Sequence, residues 1–156
     1  MRRGLVLLAL LSTSAWAQDP RDMAKQALGL IRQGSIDEGI GLANQALRID
    51  ANCGPAYGAR GYGRFKQSDR SQALQDYSRA VELEPADPNW LLFRTQCYMS
   101  LDEWQKALED TEAGLRATNQ AAAFRSLRGW CRINLGEVDE GLADMDAAFA
   151  SAPNNP

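Results

Sequence analysis

The sequence predicts an all-α fold, a right-handed solenoid of four helical hairpins. Three observations support this prediction: the chain repeats at an interval of 34 residues, apolar residues recur within each repeat at helical spacing, and turn-forming residues stand at one fixed point of every repeat. Self-similarity at such a period is typical of stacked supersecondary units, each of which buries its apolar face against its neighbours. The four units span 20–53, 54–87, 88–121 and 122–155.

The repeat is clearest in the second half of each unit. The segment SQALQDYSRAVELEP at 71–85 aligns with QKALEDTEAGLRATN at 105–119, with DEGLADMDAAFASAP at 139–153 and with DEGIGLANQALRIDA at 37–51. Apolar residues in 71–85 recur at intervals of three and four, which predicts an amphipathic helix. Each unit therefore contains two helices, and the turns between them are expected near Gly34, Ser68, Asp102 and Gly136.

The first 17 residues have the order of regions found in a secretory signal peptide. Arg2 and Arg3 precede a short apolar run, and the sequence AWA at 15–17 forms an A-x-A cleavage site. The apolar run is too short to cross a bilayer as a helix. We therefore expect a signal peptide that is cleaved after Ala17 and a repeat domain at 18–156. The mature protein is then periplasmic or secreted, with no stable membrane span.

Composition excludes several classes of function. Removal of Arg2 and Arg3 takes the formal net charge from −3 to −5, and an acidic chain without basic runs lacks the electrostatic footprint of a nucleic-acid-binding protein. The sequence has no histidine, which excludes His-based triads and His metal ligands. Neither an EF-hand loop nor a phosphate-binding glycine loop is present. We therefore expect no enzyme activity, no cofactor, no metal and no nucleic-acid partner.

Small residues recur at three fixed positions of the unit, one at the start of the second helix, one later in that helix and one in the first helix. These positions hold Gly39, Ala73, Ala107 and Gly141; Ala46, Ala80, Gly114 and Ala148; and Ala27, Gly61 and Gly129. The pattern resembles the tetratricopeptide repeat family over the whole mature chain. The family's early tryptophan is missing, and Trp90 and Phe124 stand beside its position. The resemblance implies a non-catalytic module that binds a protein or peptide in a concave groove formed by the first helices.

The resemblance also assigns the groove-facing positions by register. The candidate partner-binding residues are Tyr62, Phe65, Lys66, Leu92, Gln96, Met99, Trp130 and Ile133. Tyr62 and Trp130 each follow a small glycine and are the least explained by core packing, whereas part of the apolar stripe can also be interpreted as core. The Lys, Asn and Arg set with which some family members clamp a terminal carboxylate is not recognisable here.

Two charged positions repeat with the same period. They are Arg60, Arg94 and Arg128, and Asp76, Asp110 and Asp144. If the helices of a unit run antiparallel about a turn near Ser68, the arginine of each unit faces its aspartate, and the first unit lacks both residues together. This co-occurrence favours a structural Arg–Asp pair in each of the last three units. The alternative is a basic stripe that binds an anionic ligand.

The three cysteines are an odd number and form no C-x-x-C motif. Cys97 and Cys131 stand at equivalent positions of successive first helices, where we expect buried, inert thiols. Cys53 lies at a repeat boundary and is the thiol that we expect to be exposed, with an intermolecular disulfide as one use.

Gly58 and Gly63 are helical glycines outside the small positions. A glycine inside a helix costs about 1 kcal/mol relative to alanine, and the register offers no packing reason for either residue. We therefore expect the first helix of the second unit to be the least stable part of the interior.

The leading functional interpretation is an adaptor or scaffold of the bacterial cell envelope that binds an unidentified envelope protein or peptide through its concave face. The alternative is a self-associating structural component. Repeat arrays ordinarily need polar caps, and the sequence shows no further helix after the fourth unit. This alternative predicts a homo-oligomer that forms through the last helix.

Overall fold

The computed structural model describes residues 19–117 and 121–151, and within these ranges it contains eight α-helices and no strand. Each odd-numbered helix packs against the even-numbered helix that follows it, and each hairpin packs against the next. This arrangement confirms the predicted fold class. The predicted signal peptide lies outside the described residues. The helices are α1 Pro20–Arg32, α2 Ile36–Ile49, α3 Gly54–Lys66, α4 Arg70–Leu83, α5 Pro88–Met99, α6 Trp104–Ala117, α7 Ala121–Leu135 and α8 Val138–Ala150.

Proline and aspartate mark the helix starts. Helices α1, α3 and α5 each carry proline in one of their first two positions, where the missing N–H has no intrahelical partner to lose. The carboxylates of Asp19, Asp69 and Asp87 accept hydrogen bonds from backbone N–H groups in the first turns of α1, α4 and α5. Such caps satisfy donors that the helix itself cannot pair.

Every hairpin turn has one residue in the left-handed region at the same point of the repeat. These residues are Gly34 with φ of 96°, Ser68 with 66°, Asp102 with 57° and Gly136 with 91°. A residue in this conformation ends a helix and returns the chain. Glycine adopts it without steric cost, whereas the two other residues carry a Cβ that disfavours it. The turns therefore lie where the sequence predicts them.

The two helices of a hairpin approach closely at the small positions. A Cβ atom built on Gly129 would lie 2.7 Å from the carbonyl oxygen of Gly141, and one on Gly141 would lie 2.8 Å from the carbonyl oxygen of Gly129. Any larger residue at this crossing would overpack it. The largest fully buried side chains of the described residues are Tyr77 and Phe124, and much of the remaining core is alanine.

The expectation that Gly58 and Gly63 lack a packing reason is wrong. Any side chain at Gly58 would overlap the indole ring of Trp90, which reaches across from the next unit. A Cβ at Gly63 would lie 2.6 Å from Cγ1 of Ile40 in the preceding unit. Both glycines therefore make room for contacts between units, which is the packing reason for a helical glycine at each position.

The expectation for Cys53 is also wrong. Cys53 is buried among Met23, Ala24 and other small side chains at the boundary of the first two units. Burial raises the pKa of its thiol. Cys97 and Cys131 are completely buried, and burial raises the pKa of each to about 11. All three cysteines are free thiols shielded from solvent, so none offers an exposed disulfide partner.

Candidate functional site

A cavity of about 270 Å³ opens between α3 and α5, with α4 contributing one wall. We call it the α3–α5 cavity. The structure brings four of the eight sequence-predicted residues together there, and two further residues complete the lining. The lining residues are Tyr62, Phe65, Lys66, Tyr77, Phe93 and Gln96.

Phe93 joins the aromatic walls of this cavity. Its ring stacks on that of Tyr77 with a centroid distance of 5.6 Å and an interplanar angle of 12°. It also meets the rings of Tyr62 at 5.8 Å and Trp90 at 6.2 Å in tilted geometry. Aromatic pairs of this kind favour offset or tilted arrangements and hold one another in place. The cavity therefore has a preformed apolar wall built from three helices.

Tyr77 supplies an unpartnered polar group. Only 1% of the residue is exposed, and burial raises the pKa of its phenol far above the ordinary value, so the hydroxyl stays protonated. Its hydroxyl makes no hydrogen bond to any described residue. Among the residues that the structure describes, the fully enclosed side-chain atoms without a hydrogen-bond partner are Thr95 Oγ1 and Arg132 Nε. The Tyr77 hydroxyl is not one of them, so it keeps a small solvent contact. The α3–α5 cavity is the space that Tyr77 lines.

The first helices around this cavity carry only positive charge. Helices α3, α5 and α7 contain no aspartate or glutamate, and they hold six arginines and Lys66. Lys66 is exposed, places its ammonium 5.4 Å from the ring centroid of Tyr62, and forms no ion pair within the described part of the chain. A charge at the rim of an apolar cavity attracts ligands of the opposite sign.

Five of the six arginines are engaged by aspartates of the second helices. Arg60 contacts Asp76 at 2.7 Å, Arg94 contacts Asp110 at 2.6 Å and Arg128 contacts Asp144 at 2.5 Å, in each case from Nη2 to Oδ1. The Nε atoms of the same arginines also donate to these carboxylates. Arg64 and Arg132 add second contacts, to Asp76 and Asp144 respectively, at 2.7 Å. These pairs therefore use the arginines that an anion-binding stripe would need.

The other sequence-predicted residues lie outside the α3–α5 cavity. Leu92 is half-buried on α5. Met99 packs against an interior cluster that includes Cys131, and Ile133 packs against α8 where it passes Gly141. Met99 and Ile133 are therefore placed by packing between helices, because their position on the first helix turns them towards the second helix.

Trp130 is 54% exposed and lines a different cavity, of about 400 Å³, between α7 and α8. We call it the terminal cavity. Its other lining residues are Ala122, Ala123, Ser126, Met145, Ala148 and Phe149. The structure thus separates Trp130 from Tyr62, although the two residues share one register position.

Sequence reasoning missed Tyr77 and Phe93. Tyr77 belongs to the apolar stripe of α4, which predicts a core residue, and the residue is indeed buried. The prediction named Leu92, but its neighbour Phe93 is the residue that lines the cavity. The two side chains differ by one residue's rotation about the axis of α5. The available signal was the aromatic content of the second and third units, which exceeds that of the other two.

No group of three or more His, Cys, Asp or Glu residues that could hold a metal ion occurs in the described ranges 19–117 and 121–151. Among the helices in those ranges, none has the length and apolar character needed to cross a membrane.

Comparisons with known proteins support the fold. No family model matches the sequence. The outer dynein arm-docking complex subunit 4 of Mus musculus is 34% identical over 62 residues, which are 40% of this chain and 10% of that protein. The chain therefore spans only a small part of this curated relative. The segment they share is too short to define more than a repeat likeness.

Solved structures match over most of the chain, among them MamA and YrrB. MamA has a TM-score of 0.77 at 18% identity and covers 85% of this chain and 77% of its own. YrrB, described as a TPR protein with an unusual peptide-binding site, has a TM-score of 0.73 at 18% identity. The match covers 84% of this chain and 68% of YrrB. At such identities the likeness shows the fold alone. The chain therefore has a tetratricopeptide-like solenoid fold.

Proposed function

We propose that this protein is a non-catalytic adaptor or scaffold that binds a protein or peptide segment on the face formed by its first helices. The observation that supports this function is the α3–α5 cavity, which combines an aromatic wall with polar groups at its rim. Binding sites are typically apolar concavities with a few well-placed polar groups. The peptide-binding site of the similar protein YrrB is consistent with this use of the fold.

Site-specific photo-crosslinking tests this proposal. A photoreactive amino acid at position 96 lies on the rim of the α3–α5 cavity, whereas one at Ile49 is also exposed but lies at the end of α2. In the native host, position 96 should yield a discrete crosslinked partner and position 49 should not. Equal patterns at both positions would contradict a binding role for the cavity.

The identified partner then permits a quantitative test. Tyr62→Ala should weaken its binding by about 1–3 kcal/mol, because binding energy concentrates on aromatic residues at the centre of an interface. Ile49→Ala is the matched control and should leave affinity unchanged. Calorimetric titration measures both, and melting temperatures within a few degrees of wild type show that the variants fold. Unchanged affinity of a folded Tyr62→Ala protein would remove the cavity from the interface.

We also propose that the protein works in the bacterial cell envelope, either in the periplasm or after secretion. The order of basic, apolar and small residues in 1–17 supports export with cleavage after Ala17. Mass spectrometry of the protein from its native host should find Gln18 at the N-terminus. Retention of Met1 would contradict the envelope location and leave the binding proposal intact.

A second candidate function is self-association through the terminal cavity, and the repeat itself favours it. At the boundary of the second and third units, the Trp90 ring lies against Gly58; at the next boundary, the Phe124 ring lies against Gly114. Ser126 and Ala148 occupy the register positions of those two glycines, and both line the terminal cavity. The fourth unit thus offers the space that receives an aromatic ring at both preceding boundaries.

The proposed occupant is a second copy of this chain. The same face exposes Phe149, Trp130 and Leu142, with 67%, 54% and 51% of each residue accessible. A face that carries both a cavity and exposed rings can pair with itself about a two-fold axis. Sedimentation equilibrium should find a dimer that Phe149→Ser converts to monomer, whereas Ile49→Ser should not. A monomeric wild-type protein would exclude this candidate.

A further inference from the structure

The size of the α3–α5 cavity limits what it can hold. Its volume of about 270 Å³ lies below the roughly 300–1,000 Å³ of pockets that enclose drug-sized ligands. The cavity therefore suits one large side chain, with the rest of the ligand outside it. Its aromatic walls of Phe93, Tyr62 and Phe65 offer such a side chain flat apolar surfaces.

The unpartnered hydroxyl of Tyr77 selects among large side chains. This hydroxyl bonds no described residue and keeps a small solvent contact, and a side chain that fills the cavity would cut it off from water. A ligand atom that pairs with it avoids the cost of leaving a buried hydroxyl without a hydrogen bond. Leucine and phenylalanine have no such atom. The phenol of tyrosine carries one at the far end of its ring, and the indole of tryptophan carries an N–H on the edge of its ring. Sites that hydrogen-bond a polar ligand group discriminate strongly against analogues that lack it.

The charge around the cavity selects the residues that flank the inserted side chain. Helices α3, α5 and α7 carry no acidic residue, and Lys66 stands at the rim without an ion pair in the described ranges. Gln96 adds an exposed amide on the opposite wall. Complementary charge accelerates encounter and rejects partners of the same sign. Carboxylates next to the anchor would therefore meet an unopposed cation.

We infer that the α3–α5 cavity receives a tyrosine or tryptophan side chain from a peptide segment whose flanking residues are acidic, an inference that rests on the proposed peptide-binding function. The ring stacks among Tyr62, Phe65 and Phe93, its polar atom pairs with the Tyr77 hydroxyl, and the neighbouring carboxylates face Lys66. The ligand class is thus an acidic segment with one polar-tipped aromatic anchor.

A random dodecapeptide display library, selected on the full immobilised chain, tests this inference without knowledge of the natural partner. The enriched peptides should share tyrosine or tryptophan with aspartate or glutamate within about three residues. A synthetic copy of the most enriched peptide is then titrated by fluorescence polarisation. Lys66→Glu should weaken its binding about tenfold. Arg32→Glu reverses an exposed charge at the same register position of the first unit and should change binding less than twofold.

Tyr77→Phe tests the anchor separately, because it removes only the hydroxyl. It should weaken the tyrosine or tryptophan peptide about fivefold and should not weaken the phenylalanine analogue of the same peptide, which makes no bond to the hydroxyl. A stability effect of the substitution would alter both peptides equally, so the difference between them isolates the hydrogen bond.

The outcomes distinguish the inference from the function on which it rests. Enrichment of basic or uncharged peptides that lose affinity with Tyr62→Ala would overturn the acidic-segment inference and preserve peptide binding at the cavity. Enriched peptides whose anchor is leucine or phenylalanine would likewise overturn the inference and preserve peptide binding at the cavity. Enriched peptides that bind Tyr62→Ala as well as wild type, or no enrichment at all, would overturn both.

Discussion

Replacing Arg94 by alanine should destabilise the protein more than the equivalent change in the fourth unit. Arg94 donates to Asp110 at 2.8 and 2.6 Å, and the two side chains are 19% and 8% exposed. The fourth-unit aspartate, Asp144, has a second arginine, Arg132, at 2.7 Å. The third unit has Tyr98 at that register position. Loss of Arg94 therefore leaves Asp110 without a cation, whereas loss of Arg128 does not have this effect on Asp144.

The magnitudes follow from burial and from the number of partners. Leaving one member of a buried ion pair without its partner costs about 3–5 kcal/mol, and Arg94→Ala should fall near the lower end, about 3 kcal/mol, because the pair is partly exposed. Arg128→Ala should cost about 1.5–2 kcal/mol, the low end of the range for hydrogen bonds to charged groups, since Arg132 remains. Each loss is a substantial fraction of a typical unfolding free energy, which is about 5–15 kcal/mol.

Urea unfolding followed by far-UV circular dichroism and tryptophan fluorescence measures these changes. Coincident transitions from the two probes establish that the array unfolds as one unit. A double-mutant cycle of Arg94→Ala and Asp110→Ala should give a coupling energy of about 2 kcal/mol. A coupling near zero, or equal losses for Arg94→Ala and Arg128→Ala, would refute the reasoning and return Arg94 to the anion-binding interpretation.

Three further predictions concern pH, a turn and the thiols. Burial raises the pKa of Asp144, but the hydrogen bonds and charges of its two arginines outweigh this and hold it below its ordinary value; its stabilising contribution is therefore present above about pH 4 and lost as pH falls further. The urea midpoint should drop less between about pH 5 and pH 3 in Asp144→Asn than in wild type. Ser68→Gly should stabilise the protein by about 0.5–1 kcal/mol in urea unfolding, because Ser68 has φ of 66°; a loss of stability would show that the serine relieves the strain. A thiol reagent should label Cys53, Cys97 and Cys131 only after denaturation, since all three are buried; rapid labelling of native protein would contradict their burial.

The features that could be predicted from the sequence are those that the period repeats. The turns at Ser68 and Asp102 contain no glycine, yet they could be predicted because Gly34 and Gly136 stand at the same point of the neighbouring units. The opposition of Arg60 and Asp76 likewise follows from hairpin geometry, because the spacing of 16 residues about a known turn recurs in two further units. A single unit would have supported neither inference.

The cavity could not be predicted, because it depends on side chains from three helices at once. Register places Tyr62 and Gln96 on the face of the first helices, but the depth of the space between them depends on Phe93 and Tyr77. The same limit explains Cys53, whose burial comes from Met23 and Ala24 of its own unit together with Ala56 of the next unit. Contacts between units depend on residues that differ from one unit to the next, and a repeat pattern identifies only the residues that are the same in every unit.

These differences locate the candidate binding surfaces on an otherwise uniform scaffold. The register position that holds Tyr62 in the second unit and Trp130 in the fourth holds Gln96 in the third. The amide side chain of Gln96 faces Tyr62 across the α3–α5 cavity. A second aromatic ring at this position would narrow the cavity. At the end of the described array, Ser126 and Ala148 are both small, and the terminal cavity stays open beside them. The turns and the Arg–Asp pairs within each hairpin obey the period, and the residues proposed to bind partners depart from it.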